Sequence, residues 1–408
     1  MIKLLLTLAL VGIGLALKKL TLFGVPIYFL EGVLLCTTPL LLLYKKSWQK
    51  IDSWLLVGNG LFVVGAILST FGHYSGTTSL GQLKSWILFP ASFFVFIVTT
   101  GYLTNKEKRE YFYRALMMGI GFIVIVACYG FYNGVLTYDH RLAFPESSPN
   151  FLAFLVAQGL FVALYNLQKS EKDALRALIW LYILLSLFVL YQTHSYNVFL
   201  VTIGALTIGV YLQLRISEKN SSLLRSVIFG MTVLGLLSLG VFFLEKDTQK
   251  WHNLFLTNNR SSIDSRMMIW QSALRIGEDH SILGIGVGNF QQEYLVYQQY
   301  FPPYLEWAVP QTHNIILATW LQTGLLGLLG LSILIGRAFY LLKRVLSKNK
   351  KEALLYISLL SFFLLYGLFD TPYFRNDLAF LFWLYLAGIH ALYFETEPTN
   401  QEESYRSI

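Results

Sequence analysis

The stretch HNIILATWLQTGLLGLLGLSILIG, residues 313–336, decides the fold class of this chain. Its 24 residues include no Asp, Glu, Lys or Arg. A helix needs only about 20 predominantly apolar residues to cross the hydrocarbon core of a bilayer. Apolar runs of this kind recur along the sequence. The sequence therefore predicts an all-α protein that crosses a membrane many times.

The chain as a whole has the composition of a membrane protein. Of its 408 residues, 55% are hydrophobic and 13% are charged, whereas about 25% of the residues in a soluble domain are charged. The net charge of +8 comes from Lys and Arg between the apolar runs, so it indicates membrane topology and not nucleic acid binding. Cys36 and Cys128 lie inside apolar runs, which argues against a disulfide or a thiolate metal site.

Helix length and apolar content predict about twelve membrane spans. The opening segment resembles a signal peptide, but no small-residue cleavage pattern follows it, so it is interpreted as a short first span. The predicted spans lie near 2–17, 22–43, 53–71, 83–102, 115–135, 148–167, 175–192, 196–213, 224–244, 313–336, 352–369 and 377–394.

The basic residues between the spans predict the orientation of the chain. They cluster in alternate loops, and the positive-inside rule places these loops in the cytoplasm. The long segment 245–312 then lies outside, between spans one to nine (1–244) and spans ten to twelve (313–394). Residues 395–408 are expected to form a disordered cytoplasmic tail. The basic residues are Lys45, Lys46, Lys50, Lys106, Lys108, Arg109, Arg114, Lys169, Lys172, Arg176, Arg215, Lys219, Arg225, Arg337, Lys343, Arg344, Lys348, Lys350 and Lys351.

A set of charged and titratable residues falls on the predicted outer side. Outer loops are expected to be poor in cations, so the arginines found there have a reason other than topology. This asymmetry is the first indication of function. The set consists of His140, Arg141, His194, Arg260, Arg266, His313, Asp370 and Arg375.

The outer segment contains SSIDSRMMIWQSALRIGEDH, residues 261–280, which is typical of an amphipathic helix. Ile263, Met267, Trp270 and Leu274 recur at helical spacing and predict one apolar stripe. Such a helix could lie on the membrane face and cover a cavity between the spans. Arg266 falls in its first turn, and an arginine fork matches a phosphate whether that phosphate belongs to lipid or to substrate.

Two further motifs follow in the same segment. ILGIGVGNF, residues 282–290, resembles a nucleotide-binding fingerprint, but no parallel-sheet unit surrounds it, so its glycines are interpreted as sharp turns. YLVYQQYFPPYLEW, residues 294–307, suits the aromatic belt at the membrane interface. It could also stack on sugar rings.

His313 opens the tenth predicted span, with Thr312 as its expected N-cap. The positive end of a helix dipole favours the neutral imidazole, and a neutral imidazole beside an open cavity can act as a general base. The alternative is a histidine that only bonds water or a carbonyl.

Arginines beside one histidine suit a reaction in which a pyrophosphate leaves and a hydroxyl loses its proton. No carboxylate cluster with metal-ligand spacing appears outside, so no metal is expected.

The stretches SRMMIWQSALRIGEDHSILGIGVGNF (265–290) and THNIILATWLQTGLLGLLG (312–330) resemble the signature region of the O-antigen ligase and O-antigen polymerase superfamily. The shared pattern is an arginine, a tryptophan four residues on, a Gly-Ile-Gly turn, an aromatic stretch, and His-Asn opening a glycine-rich span. RLAFPESSPNFLA (141–153) is similar to the family's outer arginine before a Pro-Asn helix start. DTPYFRNDLAFLFW (370–383) resembles its late outer turn.

The resemblance implies a membrane-embedded glycosyltransferase of the C type in the bacterial cytoplasmic membrane, acting on its outer side. It would take a glycan from undecaprenyl pyrophosphate and pass it to lipid A core or a similar acceptor, by direct displacement with inversion and without metal, cofactor or nucleotide sugar. By analogy, Arg266 and Arg141 would hold the pyrophosphate and His313 would activate or orient the acceptor hydroxyl. Arg260, Asn314, His194 and Arg375 are assigned to substrate binding.

The sequence leaves alternative interpretations of the site and of the function open. The family often carries Ser-Arg where this chain reads THSYNVFL (193–200), with Tyr196 in place of the arginine, so one expected cation is missing unless His194 or Arg260 compensates. Asp370, Arg375 and Asp377 either pair among themselves or support the arginines. A polymerase would share these residues and differ in its acceptor. A lipid flippase is the alternative of another class, although no internal repeat supports it.

Overall fold

In the computed structural model, the described residues are 19–22, 25–44, 49–73, 76–216, 262–302 and 309–396. The predicted first and ninth spans lie outside this part of the chain, as do Arg260 and most of the predicted tail. The last helix continues to Thr396, two residues into the segment that was predicted to be a disordered tail. The predicted domain boundaries and the assignment of loops to the two sides of the membrane stay predictions.

The regular secondary structure of the described residues is helical, apart from one short antiparallel hairpin. The hairpin pairs β1 (Lys19–Leu22) with β2 (Val25–Tyr28). The helices are α1 (Phe29–Tyr44), α2 (Ser53–Gly72), α3 (Thr77–Gln82), α4 (Phe89–Thr99), α5 (Lys106–Tyr132), α6 (Pro149–Lys169), α7 (Asp173–Gln192), α8 (Tyr196–Ile216), α9 (Ser262–Asp279), α10 (Phe290–Tyr297), α11 (Ile315–Val345), α12 (Lys350–Gly367) and α13 (Asn376–Thr396). A π-helical turn, Leu83–Leu88, joins α3 to α4.

The architecture confirms an all-α polytopic membrane protein. Within the described ranges, eight helical stretches are long and apolar enough to cross a bilayer, and each coincides with a predicted span. They are Ser53–Gly72, Thr78–Thr99, Lys106–Tyr132, Pro149–Lys169, Asp173–Gln192, Tyr196–Gln213, Ile315–Val345 and Asn376–Thr396. The predicted second span, 22–43, is partly wrong because its first residues form β2. Pro26 has no backbone N–H to give to a helix and tolerates an edge strand.

The closest helix packing joins α2 to α11, and it depends on glycine. A Cβ added at Gly65 would lie 2.4 Å from the backbone nitrogen of Gly327, and one added at Gly330 would lie 2.4 Å from that of Phe62. The two backbones are therefore in contact. Small residues permit this approach in membranes, where packing and hydrogen bonds replace the hydrophobic drive between helices.

Helix α11 is broken at Gly324, where φ is 68° and ψ is −177°. The loop before α10 provides partners for the interrupted helix. Leu321 O accepts from the backbone of Ile285 at 2.6 Å, and the backbone N–H of Leu325 donates to Ile282 O at 3.0 Å. Irregular backbone within a membrane protein needs such internal partners.

The glycines of residues 282–290 form the sharp turns that the sequence predicted. Gly284, Gly286 and Gly288 have φ of 73°, 82° and 85°, a region that glycine adopts without steric cost. The backbone N–H of Gly286 donates to Ser69 Oγ at 2.9 Å, and that of Gly288 donates to Gln322 Oε1 at 3.0 Å. The loop is thereby fixed between α2 and α11.

Helix α9 forms as predicted, but its packed face differs from the predicted stripe. Met268, Ile269, Ala273 and Ile276 are buried against Phe290, Tyr294 and Leu321, whereas Met267 and Leu274 are exposed. Apolar residues lie on two faces of this helix, so spacing alone did not indicate which one packs. Ser265, Ser272 and Ala273 are buried on the packed face.

Replacing Gly324 by Ala tests the broken helix. Alanine would be strained at this φ and ψ, a region used almost only by glycine, and its Cβ would lie 2.5 Å from Ile282 O. We expect a loss of roughly 1–3 kcal/mol, seen as a lower thermal midpoint in detergent. Gly336→Ala is the matched control, since a Cβ there meets nothing within 4 Å. Equal midpoints for the two variants would contradict the break.

Candidate active site

His313 stands just before α11 and not inside its first turn. The N-cap is Asn314, whose Oδ1 accepts from the backbone N–H groups of Ile316 at 2.9 Å and Leu317 at 3.1 Å, so the predicted cap at Thr312 is wrong. His313 has a φ of 50°. Among the described non-glycine residues, positive φ occurs at His140, His194 and His313, all of them in the set of outer residues.

The imidazole of His313 is paired with a buried carboxylate. Its Nδ1 lies 3.0 Å from Asp370 Oδ1, and Asp370 also accepts from the Tyr366 hydroxyl at 2.7 Å and from the backbone N–H of Thr371 at 2.9 Å. Asp370 is only 3% exposed, whereas the His313 side chain is 33% exposed. The histidine is thus fixed through Nδ1 by a buried carboxylate, while its side chain remains partly exposed.

The environment of Asp370 favours its ionised form. Burial by itself raises the pKa of this carboxyl, but hydrogen bonds from His313, Tyr366 and Thr371, together with the charge of His313, bring the pKa below its ordinary value. An ionised carboxylate only accepts hydrogen bonds, so Nδ1 of His313 is the donor. In the neutral ring, Nε2 is then left to accept a proton.

Arg266 and Asn314 reach the same turn from two other segments. Arg266 Nε donates to Phe369 O at 3.2 Å, and Asn314 Nδ2 donates to Leu368 O at 3.1 Å. Both acceptors follow the end of α12, where the last carbonyls of a helix have no partner in the helix itself. A cation also complements the negative end of the helix dipole.

Arg141 is anchored in a similar way at the end of α7. Its Nε donates to Thr193 O at 2.8 Å, and its Nη2 donates to Asn150 Oδ1 at 2.9 Å. The Ser195 hydroxyl donates to the same Asn150 oxygen at 3.0 Å. Burial lowers the pKa of Arg141, and the nearby carboxylate of Asp139 acts in the opposite direction. The guanidinium therefore carries its charge in a largely desolvated position.

Tyr366 connects the two arginines. Arg266 and Arg141 both act electrostatically on its hydroxyl, and that hydroxyl is bonded to Asp370. The structure thus brings Arg141, Arg266, His313 and Asn314 around one Asp370–Tyr366 pair. Tyr196, which occupies the place of the family's arginine, also acts electrostatically on Arg141.

His194 lies at the edge of this group. It separates Thr193 from Ser195, the two residues that contact Arg141 and Asn150, and its ring lies 5.6 Å from that of Tyr191. Its predicted role in substrate binding stays a prediction. Within the described ranges, no three His, Cys, Asp or Glu side chains are grouped to hold a metal ion.

Arg375 is paired with two carboxylates. It is buried, its Nε donates to Asp377 Oδ1 at 2.8 Å, and its Nη2 donates to Glu146. Its guanidinium also lies 4.8 Å from the ring of Phe151. Two carboxylates thus pair with the guanidinium, and the predicted role of Arg375 in substrate binding stays a prediction. Of the sequence alternatives, Arg375 and Asp377 pair with each other, whereas Asp370 pairs with His313.

The comparison with known proteins agrees with this geometry. Residues 142–332 match the family model described as O-antigen ligase. This part of the chain belongs to the O-antigen ligase superfamily. The O-antigen ligase match begins one residue after Arg141, contains Arg266 and His313, and ends within α11. Asp370 and Tyr366 lie beyond it. No curated protein matches the sequence.

Membership in the O-antigen ligase superfamily supports a function of the ligase or polymerase type, in a glycosyltransferase-like class of enzymes.

The sequence alone did not predict that Asp370 pairs with His313 or that Asn150 contacts Arg141. The signal for Asp370 was its position directly after a predicted span, and the signal for Asn150 was the Pro-Asn helix start. Neither signal identifies the partner, because each partner comes from a distant segment.

Replacing Asp370 by Asn tests the carboxylate behind His313. The amide keeps the shape but cannot fix the same tautomer, so we expect glycan transfer to fall by about 10- to 100-fold while the protein still folds. Transfer would be measured at matched protein levels. Asp173→Asn, at the exposed start of α7, is the control. Wild-type rates in Asp370→Asn would contradict a role for this carboxylate.

Replacing Arg375 by Met separates a structural role from substrate binding. Removing the guanidinium leaves Glu146 and Asp377 buried without their cation, and breaking such a pair costs about 3–5 kcal/mol. We expect a large fall in the thermal midpoint and in the yield of folded protein. Arg141→Met should fold far better, because no buried carboxylate depends on it in the same way. A stable, folded Arg375→Met protein that fails only in transfer would support the predicted substrate-binding role and contradict a purely structural one.

Proposed function

We propose that this protein is a glycosyltransferase that moves a glycan from undecaprenyl pyrophosphate to an acceptor hydroxyl, on the outer side of the bacterial cytoplasmic membrane. The observation that carries the proposal is the meeting of Arg141, Arg266 and His313 around the Asp370–Tyr366 pair. Superfamily membership supports the general class. The donor, the acceptor and the side of the membrane belong to the proposal.

The two arginines suit a pyrophosphate leaving group. Each is bonded through Nε to a carbonyl at a helix end, Thr193 O for Arg141 and Phe369 O for Arg266. This contact fixes the plane of each guanidinium before substrate arrives. As the bond from the anomeric carbon to the pyrophosphate oxygen breaks, negative charge grows on that oxygen. Cations already in place stabilise this charge without rearrangement.

His313 suits the activation of the acceptor. Its Nε2 takes the proton of the acceptor hydroxyl as the hydroxyl oxygen attacks the anomeric carbon from the side opposite the pyrophosphate. One C–O bond forms while the other breaks, so the configuration inverts. The imidazolium that results is stabilised by Asp370, as a carboxylate stabilises a catalytic histidine in hydrolases. The protein residues supply every step, so no metal or cofactor is required.

Variants of Arg266 and His313 test the proposal directly. With a lipid-linked glycan donor and a defined acceptor, we expect His313→Ala and Arg266→Ala each to lower transfer by roughly 100-fold or more. Arg266→Lys should recover only part, because an ammonium lacks the planar fork. Arg275→Ala is the matched control, since Arg275 lies exposed on the same helix and pairs with Glu278 and Asp279. Undiminished transfer by well-expressed Arg266→Ala and His313→Ala proteins would remove the mechanism.

The acceptor distinguishes a ligase from a polymerase. We favour a ligase, with lipid A core or a similar glycolipid as the acceptor, because the matching family model is described as O-antigen ligase. Purified protein given both lipid A core and a second lipid-linked glycan would form the ligated product in preference. Formation of longer lipid-linked chains alone would indicate the polymerase. Movement of donor across vesicles without a new glycosidic bond would favour a flippase.

A further inference from the structure

A crevice lies between α6, α8 and α12, at the end of α12 farther from His313. Its volume is about 150 Å³, and its walls are mostly apolar, formed by Phe161, Leu164, Leu206, Val210, Leu354 and Leu355. Lys351 and Ser358, both on α12, also line it. With a helical rise of about 1.5 Å per residue, these two residues span roughly 10 Å along the helix. The crevice therefore runs from the lysine-rich end of α12 into the apolar part of the bundle.

Two lysines lie at the mouth of the crevice. Lys351 Nζ donates to Gln168 O at 3.3 Å, and Lys350 Nζ donates to Gln213 O at 3.0 Å. The acidic residues nearby are already paired with other cations. Glu352 is bonded to Arg109, and Glu110 is bonded to Lys169. The mouth therefore carries net positive charge.

Tyr165, one of the residues that line the crevice, has a buried hydroxyl with no hydrogen-bond partner in the described part of the chain. The Tyr165 side chain is only 4% exposed, and none of the described residues accepts from or donates to its hydroxyl oxygen. Its ring is held by Tyr113, with centroids 5.0 Å apart, and by Lys169, whose Nζ lies 5.1 Å from the ring centre. A buried hydroxyl without a partner is unfavourable, so the position calls for a polar atom on a bound molecule.

We propose that this crevice binds an anionic glycerophospholipid of the adjacent leaflet. The phosphate lies at Lys350 and Lys351, an ester or glycerol oxygen bonds the Tyr165 hydroxyl, and one acyl chain follows the apolar walls. Basic pockets between membrane-spanning helices bind such headgroups through charge. A free phosphate would leave the apolar walls uncovered, and a neutral lipid would leave the lysines without an anion. The site is independent of the proposed glycan transfer.

Lipid binding to the full-length protein tests the proposal. We expect native mass spectrometry in detergent to show phosphatidylglycerol bound in preference to phosphatidylcholine. Phosphatidylglycerol should also raise the thermal midpoint, whereas phosphatidylcholine and inorganic phosphate should not. Equal effects of the two lipids, or a full effect of inorganic phosphate alone, would overturn the proposal.

Four variants locate the lipid in the crevice. Lys350→Gln and Lys351→Gln should each weaken phosphatidylglycerol binding about fivefold. Gly209→Leu should block binding, because its Cβ points at the Ser358 hydroxyl from 2.9 Å and the larger side chain fills the crevice. Tyr165→Phe removes only the hydroxyl and should weaken binding while leaving the fold intact. Arg176→Ala, an exposed cation on the same predicted side, is the control. Unchanged binding in Tyr165→Phe together with the lysine variants would overturn the assignment.

Discussion

The candidate site depends on one buried carboxylate, that of Asp370. An ionised carboxylate can remain buried only if hydrogen bonds replace its lost hydration, and here His313, Tyr366 and Thr371 supply them. These donors come from the segment before α11, from the last turn of α12 and from the turn that follows α12. Their need to meet at Asp370 fixes the position of the imidazole. The adjoining carbonyls of Leu368 and Phe369 then bind Asn314 and Arg266.

A second constraint is the pairing of backbone groups where helices are interrupted. The break of α11 at Gly324 exposes Leu321 O and the Leu325 N–H, and the loop of residues 282–288 pairs with both. The same loop is held by side chains of α2 and α11. The glycine-rich motif after α9 and the glycine-rich stretch of α11 are thus parts of one arrangement. It connects the helix that carries Arg266 to the helix that follows His313.

The sequence predicted the features that depend on local chemistry. Apolar length located the eight membrane-spanning stretches found in the described ranges, and the glycines of residues 282–288 predicted sharp turns, because both signals lie within a short segment. The features that it missed depend on distant partners. Phe290 and Tyr294 determine which face of α9 packs. Glu146 and Asp377 are the ion-pair partners of Arg375. A residue type and its spacing carry no information about such partners.

The most direct test of the account is a double-mutant cycle in glycan transfer between His313→Gln and Asp370→Asn. If Asp370 acts through the imidazole, the double variant should transfer glycan about as slowly as His313→Gln alone, because residues that act as a unit are not additive. Rate losses that multiply in the double variant would show that the carboxylate and the histidine act independently, and would contradict the account.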